Sequence, residues 1–88
     1  MFYAYVLQSV KNGRLYVGST NNLKRRFDDH NKKRGSAYTS QNAPFKLIFY
    51  EAYLNKKDAT AAEIFFKSGY GREVLKGKVE NYFKEITS

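Results

Sequence analysis

The chain has 88 residues, with 16 Lys and Arg against 8 Asp and Glu, and its formal net charge is +8. It contains no Cys and one His, which excludes disulfides, thiolate metal sites and a zinc site built from several His. Its length predicts one domain over residues 1–88, and any bound metal is expected to be a hard cation such as Mg2+ or Mn2+, held by carboxylate and water.

The positive charge is unevenly placed along the chain. Residues 1–50 carry nine Lys or Arg against two acidic residues, whereas residues 51–88 carry seven against six. Such an excess favours a polyanionic partner through counterion release and long-range attraction. The alternative is a basic chain whose charge serves solubility alone. No apolar stretch approaches the ~20 residues of a membrane span, and no signal-peptide pattern opens the chain, which predicts a cytoplasmic protein.

The first elements form a predicted hairpin. Residues 2–9 and 14–18 are rich in aromatic and β-branched side chains, and Asn12-Gly13 between them is a strong hairpin signal. Apolar residues occupy both alternations of the first strand, so helices are expected to cover much of the sheet. Ser19-Thr20-Asn21 then offers a capping residue, and a helical pattern runs to about Lys33.

The second half predicts one more strand and two more helices. Residues 45–50 are strand-like, and residues 59–67 are helical after a capping cluster at 55–58. A last amphipathic helix is indicated by apolar residues at helical spacing, namely Leu75, Val79, Tyr82, Phe83 and Ile86. The order β-β-α-β-α-α predicts an α+β fold, a small three-stranded antiparallel sheet flanked by helices.

Two tripeptides face each other across the hairpin, Ala4-Tyr5-Val6 on the first strand and Tyr16-Val17-Gly18 on the second. They resemble the paired tripeptides that name the GIY-YIG nuclease family, with Ala4 where that family begins with Gly. The spacing between the two Tyr is also similar to that of the family.

Further matches extend this resemblance over essentially the whole chain. Leu23, Arg26 and His30 follow at the intervals expected in the family's first helix, and Ala62-Glu63 with Lys67 resembles its acidic helix. The chain looks closest to the small single-domain, UPF0213-like branch of the family.

The resemblance implies a metal-dependent endonuclease that hydrolyses DNA phosphodiester bonds with one Mg2+ or Mn2+ ion. It implies that Glu63 binds the ion, Arg26 contacts the phosphate, and Tyr5 or Tyr16 orients or deprotonates water. His30 is a candidate for proton transfer, and a half-buried structural role is its alternative. The substrate is open between single-stranded, branched and duplex DNA, and RNA.

Helical geometry supports part of this assignment independently of the family. At 100° per residue, Arg26 lies about 60° from Leu23 and His30 about 20°, whereas Arg25 points about 160° away. Glu63 lies about 60° from Phe66, at the edge of an apolar stripe. Arg26, His30 and Glu63 are therefore expected beside the sheet, with Arg25 facing solvent.

Candidate DNA-contacting residues follow on and after the first helix: Arg25, Lys32, Lys33, Arg34 and Tyr38. Lys32, Lys33 and Arg34 would equally well complement the dipole at a helix end.

Structural alternatives exist for the site residues too. Tyr5 and Tyr16 could be ordinary strand aromatics, and Glu63 with Lys67 could be a surface pair worth about 0.2–0.5 kcal/mol. At the level of function, the alternatives are a nucleic-acid-binding module that does not cut, and a nuclease subunit that needs a protein partner for targeting.

Overall fold

A computed structural model of the protein describes residues 1–32 and 41–87. These residues contain one antiparallel sheet of three strands, β1 (Phe2–Ser9), β2 (Leu15–Thr20) and β3 (Phe45–Tyr53), in the order β2-β1-β3. The long first strand is central and pairs with both others. β3 extends three residues beyond the predicted run, because residues 51–53 continue the ladder with residues 2–4 of β1.

The helices in the described part of the chain are α1 (Leu23–Asn31), α2 (Lys56–Lys67), α3 (Gly69–Lys78) and α4 (Glu80–Thr87). This arrangement confirms the predicted α+β class. The single C-terminal helix that was expected is two helices, because the backbone departs from helical geometry at Val79, the residue that caps α3. None of the helices within the described ranges combines the length and apolar character needed to cross a membrane.

Asparagine side chains set the starts of two helices. The Asn22 Oδ1 accepts a hydrogen bond from the Arg25 backbone N–H at 3.1 Å, so α1 is capped one residue later than the predicted cluster. The Asn55 Oδ1 accepts from the Lys57 backbone N–H at 2.8 Å. Capping at Asn55 brings residues 56–58 into α2, which therefore begins three residues before the predicted Ala59.

The hairpin turn is formed as predicted. Gly13 has a φ of 77°, a left-handed conformation that glycine adopts without strain, and the Asn12 Oδ1 accepts from the Arg14 backbone N–H at 3.0 Å. The turn fixes a register in which Tyr5 is opposite Gly18 and Leu7 is opposite Tyr16. The two tripeptides therefore lie side by side in the sheet.

Helices cover both faces of the sheet, which agrees with the apolar residues on both alternations of β1. On the face that we call the α1 face, Tyr5, Leu7 and Phe45 pack with side chains of α1, including Leu23 and Phe27. On the opposite face, the α2 face, Val6 and Val17 pack against α2 and α3 through Phe66 and Leu75. Burying an apolar side chain of this size contributes about 1.5–3 kcal/mol, so these two clusters fix the helices that carry the polar residues described next.

Candidate active site

The candidate site lies at β2, an outer strand that receives side chains from helices on both faces of the sheet. β2 is an outer strand, so one side of it is not paired within the described sheet. Successive residues of a strand point to opposite faces, which directs Tyr16 and Gly18 to the α1 face and Ser19 to the α2 face. The edge of β2 is thus the place where groups from α1 and α2 come together.

A buried Tyr–His pair forms the α1 side of the site. The Tyr5 hydroxyl lies 3.0 Å from the His30 Nε2, and both residues are almost fully buried. The Tyr16 ring meets the imidazole edge-on, with ring centroids 5.1 Å apart. His30 therefore contacts both tyrosines of the two tripeptides, which confirms that α1 presents it to the sheet.

His30 is held in its neutral form. Burial lowers the pKa of the imidazole, the nearby Arg26 charge lowers it further, and Asp29 opposes these effects only in part. Its Nδ1 is buried and has no hydrogen-bond partner in the described part of the chain. A neutral imidazole has one N–H, so Nε2 either accepts from the Tyr5 hydroxyl or donates to its oxygen.

The surroundings of Tyr5 have opposing effects on the pKa of its hydroxyl. Burial raises the pKa of the hydroxyl, and the charges of Tyr16 and Glu63 add to this, while the Arg26 side chain interacts with the hydroxyl and lowers the pKa. The net pKa lies above its ordinary value. Arg26 thus acts in the direction expected of a cation beside a reactive phenol, but burial outweighs it.

Gly18 leaves space for the Tyr5 side chain to lie over β2. A β-carbon at position 18 would overlap the Tyr5 hydroxyl and the adjoining ring carbon. The absence of a side chain therefore lets the phenol extend over β2 to reach the Arg26 side of the site.

Glu63 enters from α2 and is fixed by two partners. Its Oε1 accepts a hydrogen bond from the Ser19 hydroxyl at 2.6 Å, and its Oε2 accepts from the Lys67 ammonium at 2.7 Å. Burial tends to raise the pKa of the carboxyl, but the hydrogen bonds from Lys67 and Ser19 and the Lys67 charge together lower it below its ordinary value. Glu63 is therefore an ionised carboxylate at the edge of β2.

The donor set fits a hydrated divalent cation held through one carboxylate. An ionised carboxylate has about four lone-pair positions, and only two are used by Ser19 and Lys67. Among the residues that the structure describes, no three His, Asp or Glu side chains cluster closely enough to form a protein-only cage. Mg2+ commonly binds through one or two carboxylates, several waters and a substrate phosphate, and Glu63 is suited to this mode.

The structure therefore brings together all five predicted catalytic residues: Tyr5, Tyr16, Arg26, His30 and Glu63. Of the predicted DNA-contacting residues, the structure describes Arg25 and Lys32. Arg25 and Lys32 are exposed and line one shallow groove along the outer side of α1, together with Asp28 and Asp29. Lys33, Arg34 and Tyr38 lie outside the described residues.

Ser19 is a site residue that the sequence did not predict. Its position indicated only a capping cluster, whereas its hydroxyl holds the Glu63 carboxylate. A signal was present, because Ser19 follows the Tyr16-Val17-Gly18 tripeptide and alternation directs it to the face opposite Gly18. The missing information was the position of α2 against β2, which no local pattern encodes.

Comparisons with known proteins agree with this fold. A small α+β domain with paired Tyr-containing strands and a Glu-bearing helix matches the GIY-YIG catalytic domain family, over residues 1–78. The chain belongs to this family, and the family indicates a nuclease.

Its relatives belong to the UPF0213 group. The chain is 38% identical over 92 residues to a UPF0213 protein of Clostridium perfringens, covering 98% of both chains. It is 43% identical over 77 residues to one of Pediococcus acidilactici, covering 85% of this chain and 78% of that protein. The solution structure of a UPF0213 protein from Bacillus halodurans superposes with a TM-score of 0.52 at 32% identity, covering 88% of this chain and 84% of the other.

Proposed function

We propose that the protein is an endonuclease that hydrolyses DNA phosphodiester bonds with one divalent ion, Mg2+ or Mn2+, bound by Glu63. The observation that supports this most strongly is the convergence of a carboxylate, a guanidinium, an imidazole and two phenols around the outer strand β2. A strand edge leaves room for a polymer to pass, which an enclosed pocket does not.

Each group has a role that phosphodiester hydrolysis requires. Arg26 contacts the scissile phosphate and offsets the charge that grows on its oxygens. Glu63 would hold a divalent ion, which would supply Lewis-acid stabilisation of the same charge. Ser19 is a positioning residue, because its hydroxyl fixes one oxygen of the Glu63 carboxylate.

The two tyrosines differ in their access to substrate. Tyr5 is buried and its hydroxyl is in contact with His30, whereas Tyr16 is half-buried on the outer strand. We assign to Tyr16 the contact with the attacking water. His30 and Tyr5 form a coupled pair beneath it, in which the neutral imidazole is able to accept or donate the phenol proton.

The substrate we propose is DNA, with single-stranded and branched forms favoured by the small size of the domain. Arg25 and Lys32 on the outer side of α1, with Lys33, Arg34 and Tyr38 after it, would contact the backbone through phosphates. We propose that a protein partner supplies the sequence selection.

One observation favours a second candidate, a nucleic-acid-binding module that does not cut. Lys67 forms an i,i+4 ion pair with Glu63 at 2.7 Å, and a purely structural pair would look the same. The two candidates differ in one respect: only a nuclease depends on a divalent ion at Glu63.

The test is an incubation of the purified protein with labelled single-stranded, duplex, flap and junction DNAs, with an RNA of the same sequence, in Mg2+, Mn2+ or EDTA. A Tyr16→Phe variant purified in parallel excludes contaminating nucleases. The proposal predicts metal-dependent internal cleavage of at least one DNA, abolished by EDTA and strongly reduced in the variant. Binding without cleavage of any of the DNAs would support the second candidate instead.

A further inference from the structure

A cleft of about 330 Å3 lies beside the candidate site, on the α2 face of the sheet, between β2, α2 and α3. Val17, Phe66 and Leu75 form its apolar floor, and Arg14, Arg72 and Lys76 stand around its rim. The cations come from distant parts of the sequence, the end of the hairpin turn and α3, and the fold brings them to one opening.

The cleft carries positive charge that nearby acidic groups leave largely uncompensated. Arg14 and Arg72 are exposed, and neither takes part in an ion pair with a described residue. Lys76 has a partner in Glu73 at 3.5 Å, but both side chains are mostly exposed to solvent, so that pair is weak. The rim is therefore suited to an anion and the floor to an apolar surface.

The cleft and the candidate site follow one another along the same elements. Val17 is two residues before Ser19 on β2, a distance of about 7 Å at ~3.3 Å per residue. Phe66 is one helical turn from Glu63 on α2, about 4.5 Å along the axis. A strand whose phosphate lies at Glu63 would therefore reach the cleft with a neighbouring nucleotide.

We propose that this cleft binds a nucleotide of the DNA strand being cut, next to the scissile phosphate. The base lies against the apolar floor, and its phosphate lies between Arg14 and Arg72. Arg guanidinium groups bind phosphate oxygens through paired N–H donors, and apolar pockets with a few polar groups at the rim are typical small-molecule sites. The inference rests on the proposed nuclease function and adds a path for the strand along the edge of β2.

The first measurement is equilibrium binding of a fluorescent single-stranded oligonucleotide in EDTA, at several salt concentrations. Arg14→Ala, Arg72→Ala and Arg72→Gln are compared with Lys46→Ala, which removes an exposed charge from β3, the strand at the opposite edge of the sheet from β2. Each lost phosphate contact reduces the slope of log K against log salt by about 0.7 for single strands. We expect this reduction in all three Arg variants and not in Lys46→Ala, with melting temperatures close to wild type.

The second measurement locates the nucleotide. A photoreactive 5-iodouracil is placed at successive positions on either side of the cut, and the crosslinked peptide is identified. We expect a crosslink to the peptides that contain Val17 or Phe66 from one position near the cut, lost in the double variant Arg14→Ala/Arg72→Ala.

The outcomes separate this inference from the proposed function. If wild type binds and cuts DNA but the Arg variants keep the salt slope of Lys46→Ala, the cleft does not bind the strand and the nuclease proposal stands. If wild type neither binds nor cuts any DNA, both proposals are wrong. Crosslinks to Arg25 or Lys32 peptides alone would place the strand along α1 and overturn the cleft assignment.

Discussion

The Tyr5 side chain lies so close to Gly18, its partner across the β1–β2 ladder, that a β-carbon at position 18 would overlap the phenol. The same phenol contacts His30 from α1. The space that Gly18 leaves on the outer strand therefore allows the position that the Tyr5 hydroxyl takes.

Gly18→Ala is expected to displace the Tyr5 ring and to lower cleavage by at least tenfold. The new methyl group leaves the strand conformation allowed, so the loss comes from the tyrosine. Single-turnover cleavage and thermal melting measure the two effects separately. Gly77→Ala is the matched control, because nothing lies near a β-carbon there and the change favours the helix by about 0.5–1 kcal/mol. Wild-type cleavage by Gly18→Ala would show that the position of Tyr5 does not matter.

Arg26→Ala is expected to lower single-turnover cleavage about 100-fold, and Arg25→Ala by only a few-fold. Arg26 is half-buried and acts on Tyr5 and His30, whereas Arg25 is exposed on the outer side of α1. Loss of a donor that stabilises transition-state charge typically costs a factor of about 100–1000. Losses of equal size in the two variants would contradict the assignment of Arg26 to the site.

Acidification is expected to destabilise the fold through His30. Burial lowers the pKa of His30 in the folded chain. As the pH falls below about 6.5, the unfolded chain therefore takes up a proton on this residue while the folded chain does not. The stabilisation is present above that pH and is lost as pH falls towards the folded pKa. Because the chain has one His, unfolding free energies at pH 7.5, 6.5 and 5.5 report on this residue.

His30→Gln is the comparison for that experiment, since it keeps a polar group but does not titrate. Its unfolding free energy is expected to change less between pH 6.5 and 5.5 than that of wild type. The imidazole proton signal of the single His gives the folded pKa directly by NMR. A folded pKa at or above 6.5 would contradict the assignment of His30 as a neutral group.

Lys67→Ala is expected to strengthen Mn2+ binding to the free protein several-fold. The Lys67 ammonium donates to the Glu63 Oε2 at 2.7 Å, so it competes with a cation for that oxygen and repels it. Mn2+ titration followed by electron paramagnetic resonance measures the affinity without DNA. Lys84→Ala removes the same charge near Glu80 at the same i,i+4 spacing and serves as control. Unchanged or weaker Mn2+ binding in Lys67→Ala would argue against an ion at Glu63.

The sequence predicted the parts of the molecule that local patterns encode. Asn12-Gly13 predicted the hairpin and so the pairing of Tyr5 with the Tyr16-Val17-Gly18 strand, and helical periodicity placed His30 against the sheet and Arg25 in solvent. Both follow from interactions between residues close in sequence, or from the side of an element that must be buried.

The parts that were missed depend on contacts between distant residues. The Ser19–Glu63 hydrogen bond joins residues 44 positions apart and requires the placement of α2 on β2. The break between α3 and α4 at Val79 leaves the apolar spacing of the two helices almost continuous, so periodicity alone reads them as one. Which Asn caps a helix was also ambiguous, because several polar residues compete at each start.

The central claim, that Glu63 holds the ion that makes the protein a nuclease, is tested most directly by Glu63→Gln. The measurement is the initial rate of DNA cleavage across an Mg2+ and an Mn2+ titration, with DNA affinity in EDTA and melting temperature recorded for each protein. Glu80→Gln is the matched control, because it breaks the exposed i,i+4 pair with Lys84. We expect Glu63→Gln to lose cleavage at every metal concentration, to keep its DNA affinity and to lose at most about 0.5 kcal/mol of stability. We expect Glu80→Gln to cleave like wild type. Unaltered metal dependence and cleavage in Glu63→Gln would contradict the central claim.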